Sequence, residues 1–404
     1  MLSYSDARQK VIDVAGAIRR PLVRETIELE EAFGRILAAP VLADRDYPPF
    51  NRSTRDGFAV RAEDVVAPGA RLECVGELRA GGVFEGVLKA GQCVEIMTGA
   101  GMPPGADAVV MIEHTTREER TIAIDRKAQA GDHIVPRGSE ALAGALLLPA
   151  RTRVGYAEMA LAAQAGATRL EMFARPRVGI LSTGDEVVDA RSTPGPLQVR
   201  NSNGISIEIL ARTGGALPVQ LGNAPDEKNA LRAAIERGLE EDILVLSGGV
   251  SMGKYDLVEQ VLADLGAEFH FTGVAIRPGR PAVFATCRDK LVFGLPGNPV
   301  STMVTFELFV LSAVDLFSGA GPRSLPIFRA KLMTPVHEKG PLVHFLPARI
   351  EWEGREARIT QLPWQGSGDI VALALANGFL VVGPERPEIA PGEWADVLPR
   401  RGAL

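Results

Sequence analysis

Hydrophobic positions in the second half of the chain occur in short runs that alternate with segments of helical spacing. Residues 178–181 and 242–246 read as buried strands, while apolar residues along 257–265 recur at the interval of a helix face. Residues 300–317 predict a long apolar helix. Repeated strand and helix alternation predicts a parallel sheet covered on both faces, because parallel strands need helical crossovers.

The flanking segments follow other patterns. Apolar residues at one-face spacing predict helices near residues 5–18, 30–37 and 155–165, whereas short runs between glycine turns predict strands in residues 65–145 and again after 326. We therefore expect an α/β multi-domain protein of four parts: a small helical N-terminal unit (1–47 and 146–175), an inserted β-rich domain (48–145), a parallel-sheet α/β domain (176–325) and a C-terminal β-barrel-like domain (326–404).

Two helix faces are specified by the same pattern. The helix near 155–165 is predicted to present Tyr156 and Met159 to the interior, and a helix opened by Ser202 is predicted to carry Ile205 and Ile209.

Charge and cysteine content exclude several function classes. The chain has 44 basic and 50 acidic residues, a net charge of −6, and this balance argues against a general nucleic-acid binder. A local basic pocket for a phosphorylated ligand remains open. Three cysteines without a CxxC pair argue against a disulfide framework or a zinc knuckle, and the five histidines have no metal-ligand spacing.

The N-terminal segment does not have the composition of a signal peptide, since charged residues such as Asp6 and Lys10 interrupt it. A membrane span is not expected, because no uninterrupted run of about 18 apolar residues occurs. The predicted location is the cytoplasm.

Three loops concentrate glycine, hydroxyl and acidic residues after predicted strands: 182–186, 247–253 and 294–299. Ligands bind beyond the carboxyl ends of strands in an open parallel sheet, and glycines let backbone N–H groups approach a phosphate. The predicted ligand-binding residues of these loops are Ser182, Thr183, Gly184, Asp185, Ser247, Gly248, Gly249, Ser251, Pro296, Gly297, Asn298 and Pro299. Asp185, Glu186 and Asp256 are candidates for holding Mg²⁺ against phosphate oxygens.

Each of these signals has a plainer explanation when taken alone. One glycine-rich loop is usually a tight turn, and Asp56-Gly57 by itself predicts a hairpin turn. The segment from Arg277 to Arg280 fits either a solvated turn or a phosphate contact. Three such loops on one sheet favour a phosphate-and-cation site, although the residues alone do not identify the ligand.

The motifs taken together resemble those of the molybdopterin molybdenumtransferase family, the MoeA type shared with the E domain of gephyrin. The matching segments are PFNRSTRDGFAVR at 49–61, IMTGA at 96–100, GADAVV at 105–110, STGDE at 182–186, SGGVS at 247–251, RPGRP at 277–281 and GLPGNPVS at 294–301. The resemblance extends to the Gln-Gly-Ser of 365–367.

The resemblance implies a homodimer whose site is shared between subunits. It also implies the last step of molybdenum cofactor synthesis, in which adenylylated molybdopterin and molybdate give molybdenum cofactor and AMP. Mg²⁺ is the implied ion, the pterin is the implied small-molecule ligand, and a molybdopterin adenylyltransferase is a candidate partner. Neither nucleic acid nor a membrane is expected to bind.

Carried over by motif, the functional set comprises Asp56, Thr98, Glu186 and Asp256. The resemblance assigns Glu186 and Asp256 to the metal and phosphates. It further implies ligand contacts by Arg277, Arg280 and Ser367.

Two positions depart from the family pattern: Asn201 stands where an Asp is common, and Pro347 stands where an Arg is common, with Arg349 two residues on. These departures favour an alternative, a non-catalytic molybdopterin carrier or scaffold. The intact acids favour the enzyme. A molybdopterin adenylyltransferase is a third reading, which the additional domains disfavour.

Overall fold

The computed structural model describes residues 1–18, 20–249 and 257–402. The chain forms two compact units, one built from Met1–Thr26, Gly34–Ala38 and Glu171–Leu404, the other from Ile27–Phe33 and Ala39–Leu170. We call the first the α/β-barrel unit and the second the insertion unit. The boundaries of the four predicted domains stay a prediction.

A six-stranded sheet forms the centre of the α/β domain. In spatial order its strands are Leu217–Ala224, Arg177–Thr183, Ile243–Ser247, Lys290–Leu295, Val283–Cys287 and Glu268–Phe271. The first four are parallel, as predicted. Of the last two strands, Val283–Cys287 runs against the others and pairs antiparallel with both of its neighbours, so the sheet is mixed. The sequence analysis missed both, because their apolar runs are short and lie close to turns.

Helices cover both faces of this sheet, as the alternation of strand and helix predicted. One face packs against Tyr4–Ala17, Ser202–Gly214 and the long helix Pro299–Phe317, and the other against Lys228–Gly238 and Leu257–Asp264. Alternate residues of each strand serve the two cores, since side chains of a strand point to opposite faces. Val245 lies in the first core, and Leu244 and Leu246 lie in the second.

The long helix Pro299–Phe317 consists of Pro299–Thr305, a π turn at Phe306–Val310 and Leu311–Phe317. Among the described residues it is the one helix long and apolar enough to cross a membrane, and 89 % of its apolar window is buried inside the protein. A helix that is apolar on all sides is expected in a protein core, which is where this one lies.

The C-terminal domain is a closed five-stranded barrel, in agreement with the predicted β-barrel-like domain. Its strands are, in order around the barrel, Val343–Glu353, Glu356–Gln361, Phe328–Leu332, Trp394–Pro399 and Gly378–Val382, which pairs again with the first. Ile276–Arg277 extends the barrel sheet beside Val343–Glu353. A short helix, Ile370–Leu375, precedes the strand Gly378–Val382.

The insertion unit contains a second six-stranded sheet, as the β-rich pattern predicted. Its strands are, in spatial order, Ala108–Met111, Gly57–Val60, Gln92–Ile96, Ala70–Leu78, Thr121–Ile124 and Thr115–Glu118. Two short antiparallel pairs accompany it, Arg52–Ser53 with Ile134–Val135 and Val41–Leu42 with Leu146–Leu148. The helix Tyr156–Gln164 follows and ends before Gly166.

One predicted helix and the predicted orientation of Tyr156 were wrong, whereas the helix predicted to start at Ser202 is present with two isoleucines on its solvent side. The helix expected at 30–37 is only a 3₁₀ turn at Leu29–Glu31, because the chain turns at Gly34 with a φ of +76°. Tyr156 is exposed although it was expected inside. Ile205 and Ile209 are also exposed, since the helix Ser202–Gly214 buries its opposite face.

Gly57 lies where two strands of the insertion sheet approach closely. A Cβ atom at this position would lie 2.0 Å from the carbonyl oxygen of Val110. We expect Gly57→Ala to lower the free energy of unfolding by more than about 2 kcal/mol, since the strands must separate to admit the methyl group. Urea denaturation followed by circular dichroism measures the loss.

The matched control is Gly91→Ala, whose φ is +77° and whose Cβ would meet no atom within 4 Å. It should cost only the backbone strain, about 1 kcal/mol. Equal losses in the two variants would show that close strand approach is not the reason for glycine at position 57.

Candidate functional site

The register of the parallel strands brings the predicted loops to one edge of the sheet. Ser182 lies beside Ser247, and Ser247 lies beside Leu295 on the next strand. On the other side, Thr183 lies beside Ala224. The chain therefore leaves four neighbouring strands at the same level, and the segments that follow can surround one ligand.

These segments enclose a cavity of about 1030 Å³. Eleven of the predicted site residues line it: Ser182, Thr183, Gly184, Glu186, Ser247, Gly248, Gly249, Pro296, Gly297, Asn298 and Pro299. A volume of this size matches the upper range of small-molecule sites, about 300–1,000 Å³. The three loops singled out in the sequence thus form one site.

Glycine is required at two positions of the second loop. Gly248 has a φ of +94°, and a Cβ there would lie 2.7 Å from the carbonyl oxygen of Thr183. Gly249 has a φ of +66°, with Thr183 Oγ1 only 2.8 Å from the corresponding Cβ position. Without side chains, this backbone packs directly against the first loop.

Two asparagines at the start of the helix Ser202–Gly214 connect the loops. Asn201 Oδ1 accepts hydrogen bonds from the backbone N–H of Gly204 (2.8 Å) and from Ser182 Oγ (3.1 Å). Asn203 Nδ2 donates to Ser247 Oγ and to the carbonyl oxygen of Gly297, both at 2.8 Å. This helix terminus therefore contacts all three loops.

Two buried polar atoms at the cavity have no hydrogen-bond partner among the described residues. They are Thr183 Oγ1 and Asn203 Oδ1, on side chains that are 3 % and 9 % exposed. A buried polar group without a partner costs about 1–3 kcal/mol. A polar ligand in the cavity would supply the missing partners.

Acidic side chains gather at one side of the cavity. Glu186 and Asp226 line the cavity. Asp185 lies outside the lining, and its Oδ1 accepts a hydrogen bond of 3.1 Å from the backbone N–H of Asp226. Burial, together with the nearby Asp185 and Glu186, raises the pKa of Asp226 above its ordinary value. Crowded carboxylates of this kind favour a cation among them.

Asp226 and Asn203 were not among the predicted site residues. Asp226 precedes the helix Lys228–Gly238, but Glu227 caps this helix by accepting from the backbone N–H groups of Asn229 and Ala230. The signal that identifies Asp226 is its place two residues beyond the strand Leu217–Ala224. Asn203 could have been found from its position at a helix start facing two loops.

Other predicted residues lie outside this cavity. Arg277 lines a separate pocket of about 260 Å³ with Trp364 and Gln365. Arg280 is exposed and lines neither pocket, although its neighbour Pro281 reaches the cavity. The predicted grip of both arginines on one anion therefore has no support in the cavity's geometry.

Ser367 lies at the rim, where its Oγ accepts a hydrogen bond of 2.8 Å from Asn298 Nδ2 and its neighbour Gly368 lines the cavity. Ser251 and Asp256 lie outside the described residues. No group of three or more His, Cys, Asp or Glu that could hold a metal ion occurs within 1–18, 20–249 and 257–402.

In the insertion unit, Asp56 and Thr98 lie side by side. Asp56 Oδ1 accepts hydrogen bonds from the backbone N–H of Thr98 (2.6 Å) and from Thr98 Oγ1 (2.8 Å). These two bonds hold the pKa of Asp56 below its ordinary value. Asp56 is exposed to solvent, so its carboxylate is ionised and available to a ligand at neutral pH.

The Asp56 and Thr98 loops are paired through their backbones. Ser53 N–H donates to the carbonyl oxygen of Ala100 (3.0 Å), and Gly99 N–H donates to the carbonyl oxygen of Ser53 (2.8 Å). Ser53 is fully buried beneath them. The segment Asp56-Gly57 is thus held against the Thr98 loop, and its role as a site stays a prediction.

Comparison with protein families finds three matches along the chain. They are the "MoeA N-terminal region (domain I and II)" over residues 2–166, the "Probable molybdopterin binding domain" over 179–315 and the "MoeA C-terminal region (domain IV)" over 329–399.

Curated relatives and solved structures agree with these matches. A molybdopterin molybdenumtransferase of Nostoc sp. is 39 % identical over 336 residues, covering 81 % of this chain and 77 % of that protein. One of Bacillus subtilis is 36 % identical and covers 89 % and 85 %. The crystal structure of a molybdopterin biosynthesis MoeA protein from Pyrococcus horikosii has a TM-score of 0.78, 30 % identity and 98 % coverage of both chains.

The hydrogen bonds of Thr98 to Asp56 predict a measurable change in acidity. Thr98→Ala removes the Oγ1 donor and keeps the backbone donor, so the pKa of Asp56 should rise part of the way towards its ordinary value. Thr98→Ser should leave it unchanged. A carboxyl ¹³C NMR titration, assigned with Asp56→Asn, measures the shift.

The control is Thr54→Ala, because Thr54 Oγ1 donates to the carbonyl oxygen of His133 and not to Asp56. An Asp56 titration that is the same in wild type and Thr98→Ala would contradict the hydrogen-bonded pair.

Proposed function

This chain belongs to the MoeA family of molybdopterin molybdenumtransferases, and on that premise we propose that it inserts molybdenum from molybdate into adenylylated molybdopterin and releases AMP. This is the last step of molybdenum cofactor synthesis. The observation that carries the proposal is the cavity at the carboxyl edge of the sheet, where unpartnered buried polar atoms and two acids face a space of about 1030 Å³.

The cavity suits a ligand with a pyrophosphate group. Gly248, Gly249 and Gly297 expose backbone to the space, and Ser182 and Ser247 add hydroxyl groups. Thr183 Oγ1 can donate to a phosphate oxygen, and Asn203 Oδ1 can accept from a pterin or adenine N–H. We infer that the adenylylated pterin binds along this edge.

The acids at the cavity supply only part of the oxygen ligands that Mg²⁺ needs, so oxygens of the bound substrate would have to supply others. Glu186 and Asp226 would hold it, and the substrate's phosphate oxygens would complete its coordination, the usual arrangement for this ion. The ion would neutralise charge on the phosphoanhydride when bound. Asp256, assigned by motif alone, is a further proposed ligand.

The proposed roles of Asp56 and Thr98 follow from their charge and hydrogen bonds. Because the carboxylate of Asp56 is ionised and exposed, it can accept a proton from water or a hydroxyl at the phosphoanhydride. Thr98 fixes its orientation through two hydrogen bonds. We propose that Asp56 acts at the phosphoanhydride or at the molybdate side of the reaction.

A homodimer that shares its sites is supported by an apolar surface beside the cavity. Ile205 and Ile209 are about half exposed on the helix whose start lines the cavity, and Leu197 and Val199 are also exposed nearby in the chain. Ile205 and Ile209 lie four residues apart and thus on one face of their helix, and exposed apolar side chains grouped on a helix face are typical of interaction surfaces. We propose that a second copy covers this surface, with a molybdopterin adenylyltransferase as a transient partner in the cytoplasm.

The non-catalytic carrier is the second candidate. Pro347 is buried in the strand Val343–Glu353, and Arg349 is exposed and does not line the cavity. A carrier would bind adenylylated pterin and leave its phosphoanhydride intact. Release of AMP in the presence of molybdate distinguishes enzyme from carrier.

Asn201→Asp should leave AMP release intact or raise it. The Oδ1 atom of Asn201 accepts two hydrogen bonds, and an aspartate oxygen at the same position can accept both. Purified wild type and variant are compared with adenylylated molybdopterin, Mg²⁺ and molybdate. Asn201→Leu, which cannot accept these bonds, is the control and should lose activity.

The outcome also tests the function itself. Robust AMP release by the wild-type protein, dependent on molybdate, supports the enzyme. If wild type shows no turnover and Asn201→Asp gains it, the protein is a carrier that lacks one carboxylate.

A shared site predicts complementation between two inactive variants, Asp56→Asn and Glu186→Gln. Each should be nearly inactive alone. If each site combines Asp56 of one subunit with Glu186 of the other, a mixed dimer has one doubly altered site and one intact site. Half of the dimers are mixed after random exchange of equal amounts, so about a quarter of all sites should work.

The readout is AMP release before and after subunit exchange at equal total protein. The control is each variant taken alone through the same subunit-exchange procedure, which shows whether the procedure itself changes activity. If no activity returns although exchange has occurred, both acids serve one subunit's site and the shared-site proposal fails.

A further inference from the structure

A second pocket, of about 230 Å³, lies in the α/β-barrel unit between the helices and the end of the last barrel strand. Its lining residues are Arg8, Glu307, Leu311, Ser312, Asp315, Arg323, Ser324, Leu325, Pro326, Leu398, Pro399, Arg400, Arg401 and Gly402. None of these residues lines the cavity at the carboxyl edge of the sheet, which we call the reaction cavity after its proposed role. We call it the arginine pocket.

Positive charge exceeds negative charge in this pocket, since four arginines face two acids. Arg323 is neutralised by the buried Asp315 through a two-pronged ion pair, with its Nη2 2.6 Å from Oδ1 and its Nε 2.9 Å from Oδ2. Arg8, Arg400 and Arg401 remain beside a single further carboxyl group of the lining, that of Glu307.

Two buried donors in the arginine pocket have no hydrogen-bond partner among the described residues: Arg8 Nε and Arg400 Nε. Arg8 is fixed in place, because its Nη2 donates to the carbonyl oxygen of Arg323. Burial lowers the pKa of Arg8, although nearby Asp315 opposes that effect. Charged donors without acceptors are costly to bury, and these two find none within residues 1–18, 20–249 and 257–402, so an anion is a suitable partner for them.

Glu307 faces the same pocket from the π turn Phe306–Val310. It is 8 % exposed, and the backbone N–H of Arg401 donates to its Oε1 at 3.4 Å. Burial raises the pKa of Glu307 to about 7. π turns inside helices occur frequently at functional sites.

We propose that the arginine pocket binds a small tetrahedral dianion of the phosphate, sulfate and molybdate class, at a site separate from the reaction cavity. The Nε–H groups of Arg8 and Arg400 donate to its oxygens, and the hydroxyl groups of Ser312 and Ser324 are within the same lining. At about 30 Å³ per water, the volume holds such an ion with several waters and excludes a nucleotide.

Binding of this anion depends on pH through Glu307. The charged groups that face it are Arg8 on the first helix, Asp315 and Arg323 beyond the π turn, and Arg400 and Arg401 after the last strand. Asp315 stays paired with Arg323. As pH falls through about 7, Glu307 takes up a proton and loses the charge that repels an anion, so the affinity rises.

Calorimetry with sodium sulfate on the full chain, at constant ionic strength, tests the proposal. Sulfate is the probe because its own charge does not change near neutral pH. Arg400→Gln and Arg8→Gln should each weaken sulfate binding about tenfold or more, since each removes a charged donor. Arg79→Gln, an exposed arginine outside the pocket, is the matched control and should bind as wild type does.

Thr183→Val separates the two sites, because Thr183 lines only the reaction cavity. The arginine pocket predicts wild-type sulfate binding in this variant, and added phosphate or molybdate should displace the sulfate. If sulfate binding is lost in Thr183→Val and kept in Arg400→Gln, the ion binds in the reaction cavity and the proposal is overturned.

Two measurements keep the test independent of how the arginine variants fold. Sulfate should raise the melting temperature of the wild-type protein more than chloride does at equal ionic strength. Wild type should bind sulfate about tenfold more tightly near pH 6 than near pH 8, whereas Glu307→Gln should bind tightly at both. No sulfate-specific stabilisation, or equal pH dependence in both proteins, would refute the arginine pocket as an anion site.

Discussion

The hydrogen bonds of one buried amide, that of Asn203, hold the reaction cavity together. Its Nδ2 donates to Ser247 Oγ and to the carbonyl oxygen of Gly297, so a helix start is fixed to two strand ends at once. Since the side chain is only 9 % exposed, each of these bonds is protected from water and sets a distance between elements. Among the residues that the structure describes, the remaining oxygen of the same amide has no partner, so an acceptor is left for a ligand.

The three loops could be located from the sequence, because the glycines and strand ends that mark them in the sequence are also what shapes them in the structure. Parallel strands end at the same edge of the sheet as their neighbours. Where the backbone must adopt a positive φ close to another backbone, as Gly248 does beside Thr183, the position needs glycine, and this glycine is visible in the sequence. Strand alternation likewise predicted the α/β domain. The antiparallel strand Val283–Cys287 was not predicted, since its pairing depends on a partner sheet and not on its own pattern.

Features that depend on packing partners were beyond the sequence pattern. Periodicity marks apolar positions on the helix Ser202–Gly214, but it does not say that Ile207 faces the sheet while Ile205 and Ile209 face outwards. Asp226 and Glu227 are adjacent acids of similar capping propensity, and only the backbone path assigns the cap to Glu227 and the cavity to Asp226. The segment of Arg277 and Arg280 joins the barrel sheet at Arg277, and the ligand contacts implied for these two arginines stay a prediction.

The asparagine at position 201 limits the negative charge of the cavity. Glu186 and Asp226 already lie close enough, with Asp185, for the pKa of Asp226 to be raised. A third carboxylate at the cavity would increase this repulsion in the absence of a cation, whereas the amide of Asn201 accepts the hydrogen bonds of Ser182 and Gly204 without adding charge. The loops of this chain can therefore keep their arrangement before any cation arrives. If the proposed Mg²⁺ binds at these acids, it meets fewer protein charges than it would with a carboxylate at position 201, and the phosphates of the proposed ligand would contribute more of its coordination.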